Sequence, residues 1–231
     1  MKLAIMQPYF LPYIGYFQLI EAVDTFIIDD QVQHLKKGWV NRNRYLLNGK
    51  DAIFSIALKK GSTYLNISDR YIADSFNRNK ILNQLSIAYQ KAPYFQENFG
   101  LFKQILNYGE LNLGDYIYHS IITICTHIGI TTKIVRSEDI NYDRSLNSIN
   151  IIVALCQAFD SKTYINAIGG VKLYSKEWFT EKGILLKFIK SKPITYKQYD
   201  NDFVPWLSII DVLMFNSVEK VRLLLQEYEL L

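Results

Sequence analysis

The chain has 231 residues, enough for one substantial domain with its own core and too few for two full domains. At 49% hydrophobic and 21% charged residues, with only 11 Gly and 5 Pro, the composition excludes disorder, collagen-like repeats and low complexity. The net charge of +4 is small but unevenly placed: residues 31–60 carry Lys36, Lys37, Arg42, Arg44, Lys50, Lys59 and Lys60 against Asp51 alone, a local block that suits an anionic small molecule better than a long polyanion.

Lys2 to Met6 reads as a short apolar strand, and Gln7-Pro8-Tyr9-Phe10-Leu11-Pro12-Tyr13 must end it, because each proline lacks an amide donor and restricts the residue before it. No signal-peptide core follows Met1 and no apolar run reaches the roughly 18 to 20 residues of a membrane helix, so a cytoplasmic location without membrane insertion is expected. The segment from Gln7 to Phe17 holds five aromatics, two prolines and one glycine in eleven residues. Stiff aromatics beside a backbone that tolerates close approach can wall a flat pocket, which makes Gln7, Tyr9, Tyr13, Gly15 and Tyr16 candidate ligand residues. A loop that plugs the core with tyrosines is the plainer alternative.

From Ile14 the apolar spacing predicts a short helix, and Thr25 to Ile28 a buried strand ending at Asp29-Asp30. Strand, loop, helix and strand make a Rossmann-like βαβ unit whose first loop opens at the carboxyl edge of a parallel sheet, where ligands sit in open α/β folds. The stretch after the second strand should share that edge. Its Asp29, Asp30, Gln33, His34, Lys36, Lys37, Trp39, Asn41, Arg42 and Asn43 mix the groups a polar ligand needs. Carboxylates meet hydroxyls or an amine, Arg42 with Lys36 or Lys37 meets phosphate, and Trp39 stacks on a ring. Asp29, Asp30 and His34 are the candidate catalytic bases, although a lone histidine in a polar loop is more often simply exposed.

Val40 to Leu47 and Ala52 to Leu58 flank Asn48-Gly49, a strong hairpin signal, so the sheet is expected to be mixed through this pair. Between about Asn77 and Ile128 the periodicity predicts three helices, a possible insert over about 76–130 within a single 1–231 α/β domain. Further strands are expected at Lys133 to Val135, Thr163 to Ile165 and Ile184 to Ile189, with helices at Leu146 to Phe159 and Tyr174 to Thr180. A helical C-terminal portion covers Leu207 to Phe215 and Val218 to Tyr228. The pair Gly169-Gly170 permits an anion-holding nest or a plain turn, with Tyr174 beside it. Ser208 can cap its helix or meet a ligand, and Asp211 three residues on fits a variant capping box.

Cys125 and Cys156 read as core thiols. His119 and His127, eight residues apart on one helix, are too far apart to share a metal, and none is expected. The hydrolase elbow G-x-S-x-G, the phosphate loop G-x-x-x-x-G-K and the dinucleotide fingerprint G-x-G-x-x-G are absent from the sequence.

The run Met6-Gln7-Pro8-Tyr9-Phe10-Leu11-Pro12-Tyr13-Ile14-Gly15-Tyr16-Phe17-Gln18-Leu19-Ile20 resembles the opening signature of the WbqC-like family. Asp29-Asp30-Gln31-Val32-Gln33, Trp39-Val40-Asn41-Arg42-Asn43-Arg44, Lys91-Ala92-Pro93-Tyr94-Phe95 and Leu207-Ser208-Ile209-Ile210-Asp211-Val212-Leu213 extend the likeness in order along the chain. Where the family tends toward Ser-Gly, this chain has Asn166-Ala167. The resemblance implies a role in bacterial O-antigen or other surface-polysaccharide synthesis, as an N-acyl or aminoacyl transferase, or an ATP-dependent amide ligase, acting on a nucleotide-linked amino sugar. The donor is left open between ATP-activated acid and an acyl-carrier or coenzyme A thioester. A non-catalytic nucleotide-sugar binding protein is the rival, nucleic-acid binding through residues 31–60 a third reading that is not favoured, and a homodimer the one assembly entertained. Tyr13-Ile14-Gly15-Tyr16 is also similar to the H-x-G-H element of nucleotidylyltransferases and pantothenate-synthetase-like ligases, with tyrosines in place of histidines. That second likeness implies acyl-adenylate chemistry on a nucleotidylyltransferase-like βαβ unit.

Overall fold

A computed structural model of the chain describes residues 1–200 and 202–231, with Ser148 by its backbone alone. The opening strand β1 (Lys2–Met6) runs into the proline-bearing turn, helix α1 (Ile14–Glu21) and strand β2 (Thr25–Ile28), which lies parallel to β1 with Leu3 opposite Thr25. This is the expected βαβ unit. Side chains alternate across the strands, so Ala4, Phe26 and Ile28 join one apolar cluster while Leu3, Ile5 and Ile27 join another on the opposite face. The first cluster is covered by α1 and the helices α2 (Arg78–Tyr89), α3 (Phe95–Leu106) and α4 (Leu113–Ile128), the second by α5 (Ser148–Ala158) and α6 (Lys176–Glu181). Helices on both faces of a mainly parallel sheet define a doubly wound α/β fold.

The strands β3 (Arg42–Leu47) and β4 (Lys50–Ser55) form the hairpin around Asn48 and Gly49, both with the positive φ that such a tight turn requires, at 51° and 74°. They stand apart as a two-stranded sheet, however. The main sheet takes in β5 (Lys133–Arg136), β6 (Thr163–Ala167), β7 (Leu185–Ser191) and β8 (Tyr228–Leu230) in the order β5-β2-β1-β6-β7-β8. It is mixed because β8 pairs antiparallel with β7, and not through the hairpin as expected. The helix expected to reach Tyr228 is α8 (Val218–Leu224), which stops early so that the terminal residues can add that edge strand.

Helix α7 (Ile209–Phe215) begins at Ser208, whose hydroxyl accepts from the Ile210 amide at 3.2 Å. The expected capping box does not form. The Ser208 amide is spent on the Arg44 carbonyl at 2.9 Å, and the Asp211 side chain turns inward to other partners. Cys125 and Cys156 are buried thiols whose pKa values burial pushes up to about 12, as core residues should be. Among the described residues no helix is long and apolar enough to cross a membrane.

Candidate functional site

From the central strand β1 the chain builds outward to β2 and β5, then crosses back to lay β6 and β7 on the other side. The carboxyl ends of β1 and β6 therefore diverge, and a crevice opens where the direction of winding reverses. A cleft of about 610 Å³ occupies that position. Gln7 and Tyr9 from the turn after β1, Asp29 and Gln33 from the stretch after β2, and Tyr164, Asn166, Gly169, Gly170 and Tyr174 from β6 and its sequel all line it. Thus the aromatic turn and the charged stretch meet at one rim.

Asp29 and Asp30 end β2 and point opposite ways. Asp29 is half-buried in the cleft wall, where its Oδ1 accepts from the Ser137 hydroxyl at 2.9 Å and from the Gln31 amide at 3.3 Å. Its Oδ2 has no hydrogen-bond partner among the described residues. Burial raises its pKa above the usual carboxylate value, more than the Ser137 and Gln31 hydrogen bonds lower it. Asp30 is fully buried and pairs through Oδ2 with Arg136, which also meets Asp115 and, at 2.6 Å, Glu138. That ion pair holds the end of β2 to the end of β5, and Asp30 does not line the cleft.

His34 lies between cleft residues Gln33 and Leu35 but faces the other way, buried. Its Nε2 is 3.1 Å from Asn41 Oδ1, while Asn41 Nδ2 donates to the Ile56 carbonyl at 2.8 Å. Because that amide nitrogen is already committed, Nε2 must carry the proton, which assigns the tautomer from the network. Burial pushes the His34 pKa down, so the ring is neutral at pH 7.

The aromatic turn is stapled from three sides. The Phe10 amide donates to the Val40 carbonyl at 2.9 Å, Asn43 Nδ2 to the Phe10 and Leu11 carbonyls at 3.2 and 2.9 Å, and the Ser208 hydroxyl to the Leu11 carbonyl at 2.6 Å. These bonds hold Leu11 at φ 45°, a left-handed conformation that a leucine adopts only under constraint. Asn43 and Ser208 therefore position the wall of the site from behind. Gly15 owes its identity to a neighbour in the same turn: a Cβ there would lie 2.3 Å from the Tyr13 ring, which folds back over the start of α1. The Tyr16 hydroxyl donates to the Gln7 carbonyl at 3.2 Å and Gln7 Nε2 to the Tyr9 hydroxyl at 2.9 Å, so Tyr16 supports the rim while Gln7 and Tyr9 face it.

Arg42 is also engaged locally. Its Nε and Nη2 donate to the carbonyls of Gly38 at 3.0 Å and Lys37 at 2.6 Å, and its guanidinium stacks 5.3 Å above the Trp39 ring. Lys36 and Lys37 are exposed beside this loop, away from the cleft lining. Trp39 opens on a second hollow, of about 180 Å³, that Tyr9 shares with the cleft and that Arg44 and Trp206 complete. Asp211 lines neither. It is fully buried, accepts from Tyr89 Oη at 3.0 Å, Tyr196 Oη at 2.6 Å and Gln198 Nε2 at 2.6 Å, and burial pushes its pKa up to about 6. Ser137, Tyr164, Asn166, Arg44 and Trp206 were not singled out as site residues by their local sequence. The cues in the sequence are the basic block that contains Arg44 and the Pro205-Trp206 pair ahead of a helix.

The fold and the cleft together define an α/β protein of Rossmann strand order with a small-molecule-sized crevice at its switch point. The chain belongs to the WbqC-like protein family, whose model matches residues 7–223. It is 29% identical over 228 residues to the uncharacterised protein Rv1507c of Mycobacterium tuberculosis, covering 93% of each chain. No solved structure matches it.

Proposed function

We propose that this protein is an enzyme of bacterial surface-polysaccharide assembly that N-acylates or aminoacylates an amino sugar carried on a nucleotide. The observation that carries the reading is Asp29. It sits in the wall of the switch-point cleft with one oxygen anchored by Ser137 and Gln31 and the other open. A carboxylate made more basic by burial suits proton removal from an amine. In the proposed step the amine lone pair attacks the carbonyl carbon of an activated acyl donor and a C–N bond forms. The bond from that carbon to the donor's leaving group breaks with its electron pair, and the amine proton passes to Asp29 Oδ2.

The first amides of the turn at Ile168–Lys172 have no acceptor within that turn, and because Gly169 and Gly170 line the cleft we assign this turn the role of donor to the developing oxyanion. Tyr9, Gln7, Gln33 and Asn166 present the polar groups that a sugar's hydroxyls need. Incubation with nucleotide-linked amino sugars and either coenzyme A thioesters or ATP plus free acids tests the reading by mass spectrometry. A product heavier by one acyl group, lost in Asp29→Asn, is expected. Saturable binding of the sugar nucleotide without product under any donor would leave a binding protein and remove the catalytic assignment.

A further inference from the structure

The second hollow has a chemistry unlike that of the cleft. Its walls are the rings of Trp39, Tyr13 and Trp206, and its lining contains no carboxylate. Trp39 and Trp206 are 40% and 57% exposed, although large aromatic side chains gain most from burial. Trp206 is held at φ 60°, a conformation unfavourable for a bulky residue, with its carbonyl fixed by Arg44 Nη2 at 3.0 Å and its ring edge-on to Tyr13 at 5.9 Å. Arg44 also lies 5.6 Å from the Trp39 ring, so one guanidinium links that ring to the Trp206 backbone, while reaching Asp51 at 3.4 Å. The exposure of the indoles is thus built by the surrounding contacts.

We propose that this slot binds the base of the nucleotide whose sugar occupies the cleft, an inference that rests on the functional reading above and names its missing half. Beside the phenols of Tyr9 and Tyr13 and the two indole N–H groups, the slot's polar side chains are Asn43 and Arg44; the Tyr9 hydroxyl already accepts from Gln7, and the Asn43 amide is turned toward the Phe10 and Leu11 carbonyls. A hexose would leave most of its hydroxyls without partners there. A planar base needs only faces to stack on, which the rings supply. The guanidinium groups of Arg42 and Arg44 over Trp39 make the entrance positive, which suits the phosphates that follow a base and disfavours a plain alkyl chain. At about 180 Å³ the slot falls below the roughly 300 Å³ of a self-sufficient ligand site, as one part of a larger site should. Tyr9 lines both slot and cleft, so a ligand that fills both crosses a single side chain.

Two of the three tryptophans belong to the slot, and Trp178 lies on α6, packed against the opposite face of the sheet. Full-length protein carrying Trp178→Phe therefore reports slot occupancy by tryptophan fluorescence. Titration with uridine, thymidine, guanosine and adenosine diphosphates is expected to quench it saturably for at least one base, while pyrophosphate and free glucosamine leave it unchanged. Trp206→Ala should weaken that binding by about tenfold or more and Trp206→Phe by far less, since a smaller ring still stacks. Both positions are exposed, so the variants are expected to fold, which circular dichroism melting checks. Absence of quenching by every diphosphate, or unchanged affinity in both Trp206→Ala and Trp39→Ala, overturns the slot. The two failures separate cleanly: acyl transfer with an unaltered KM in Trp206→Ala removes the slot and keeps the enzyme, whereas diphosphate binding without acyl transfer removes the enzyme and keeps the slot.

Discussion

Asp29 and Asp211 are both carboxylates that burial pushes above the ordinary range, yet the regions around them differ in what their oxygens meet. At the cleft, Asp29 has one oxygen anchored and the other unclaimed among the described residues. Beneath the segment leading into α7, Asp211 receives Tyr89, Tyr196 and Gln198 and has no access to solvent. Tyr89 accepts in turn from the Leu46 amide at 2.8 Å, so Asp211 ties the hairpin, α2, Tyr196 and Gln198, and through Gln198 the Val204 carbonyl, into one knot. The same perturbation thus marks an available group in one place and a structural one in the other. A raised pKa distinguishes them only when read with the hydrogen-bond census around it.

The largest separation should come from neutralising Asp29. Asp29→Asn keeps an oxygen for Ser137 and Gln31 but removes the base, so turnover is expected to fall by about 10²–10⁴ with little change in unfolding free energy. The acid limb of the wild-type rate profile should lie above the reference carboxyl value of 3.8, because the base acts only when ionised and its pKa is raised, and Asn should abolish that limb. Stopped assays from pH 3 to 8 check both. An unchanged rate in Asp29→Asn breaks the comparison at its functional end.

Asp211→Ala should do the reverse. It leaves the Tyr89 and Tyr196 hydroxyls and one Gln198 N–H without their acceptor, at an expected cost of about 3–5 kcal/mol in urea unfolding. The remaining folded enzyme should retain affinity for ligand in the cleft, since Asp211 does not line it. Titration sharpens the point. Because the folded-state pKa is near 6 against 3.8 for the free group, the folded protein holds this proton more tightly. The contribution of Asp211 is therefore fully present below about 3.8 and lost as pH rises through about 6, by an amount on the order of 3 kcal/mol. The stability difference between wild type and Asp211→Asn should shift by that amount across this window and be flat above it.

These two aspartates also show what could be read from the chain by itself. Asp29 was visible because the apolar run Thr25 to Ile28 announces a strand and a charged pair at its end falls at the sheet's carboxyl edge. Which of the pair faces the cleft was not visible, since that depends on Arg136, more than a hundred residues away, claiming Asp30. Asp211 follows Ser208 at capping-box spacing, a local pattern overridden by the distant donors Tyr89 and Gln198. Strand β8 is not legible because three residues are too few to show a periodicity, and its partners on β7, including Lys190 in an ion pair with Glu229 at 3.1 Å, lie far away in sequence. The hairpin signal at Asn48-Gly49 specifies a turn and its two strands, and says nothing of which sheet they join. Local chemistry was legible and long-range partnership was not.

The smallest expected effect tests whether the cleft is as tightly built as the knot. Gly169 and Gly170 both line it, but a Cβ on Gly169 would meet nothing within 4 Å, whereas one on Gly170 would lie 2.9 Å from Asn166 Nδ2 and 3.2 Å from the Tyr174 ring. Neither glycine has a positive φ, so substitution acts through space alone. Gly169→Ala should leave stability and KM unchanged within error. Gly170→Ala must displace Asn166 or Tyr174, both cleft residues, for a cost of about 1 kcal/mol and a few-fold rise in KM. Both amides survive either change, so an equal loss of kcat in the two variants would point away from sterics and toward a backbone role for this turn. An effect confined to KM in Gly170→Ala would place Asn166 and Tyr174 among the groups that hold the sugar.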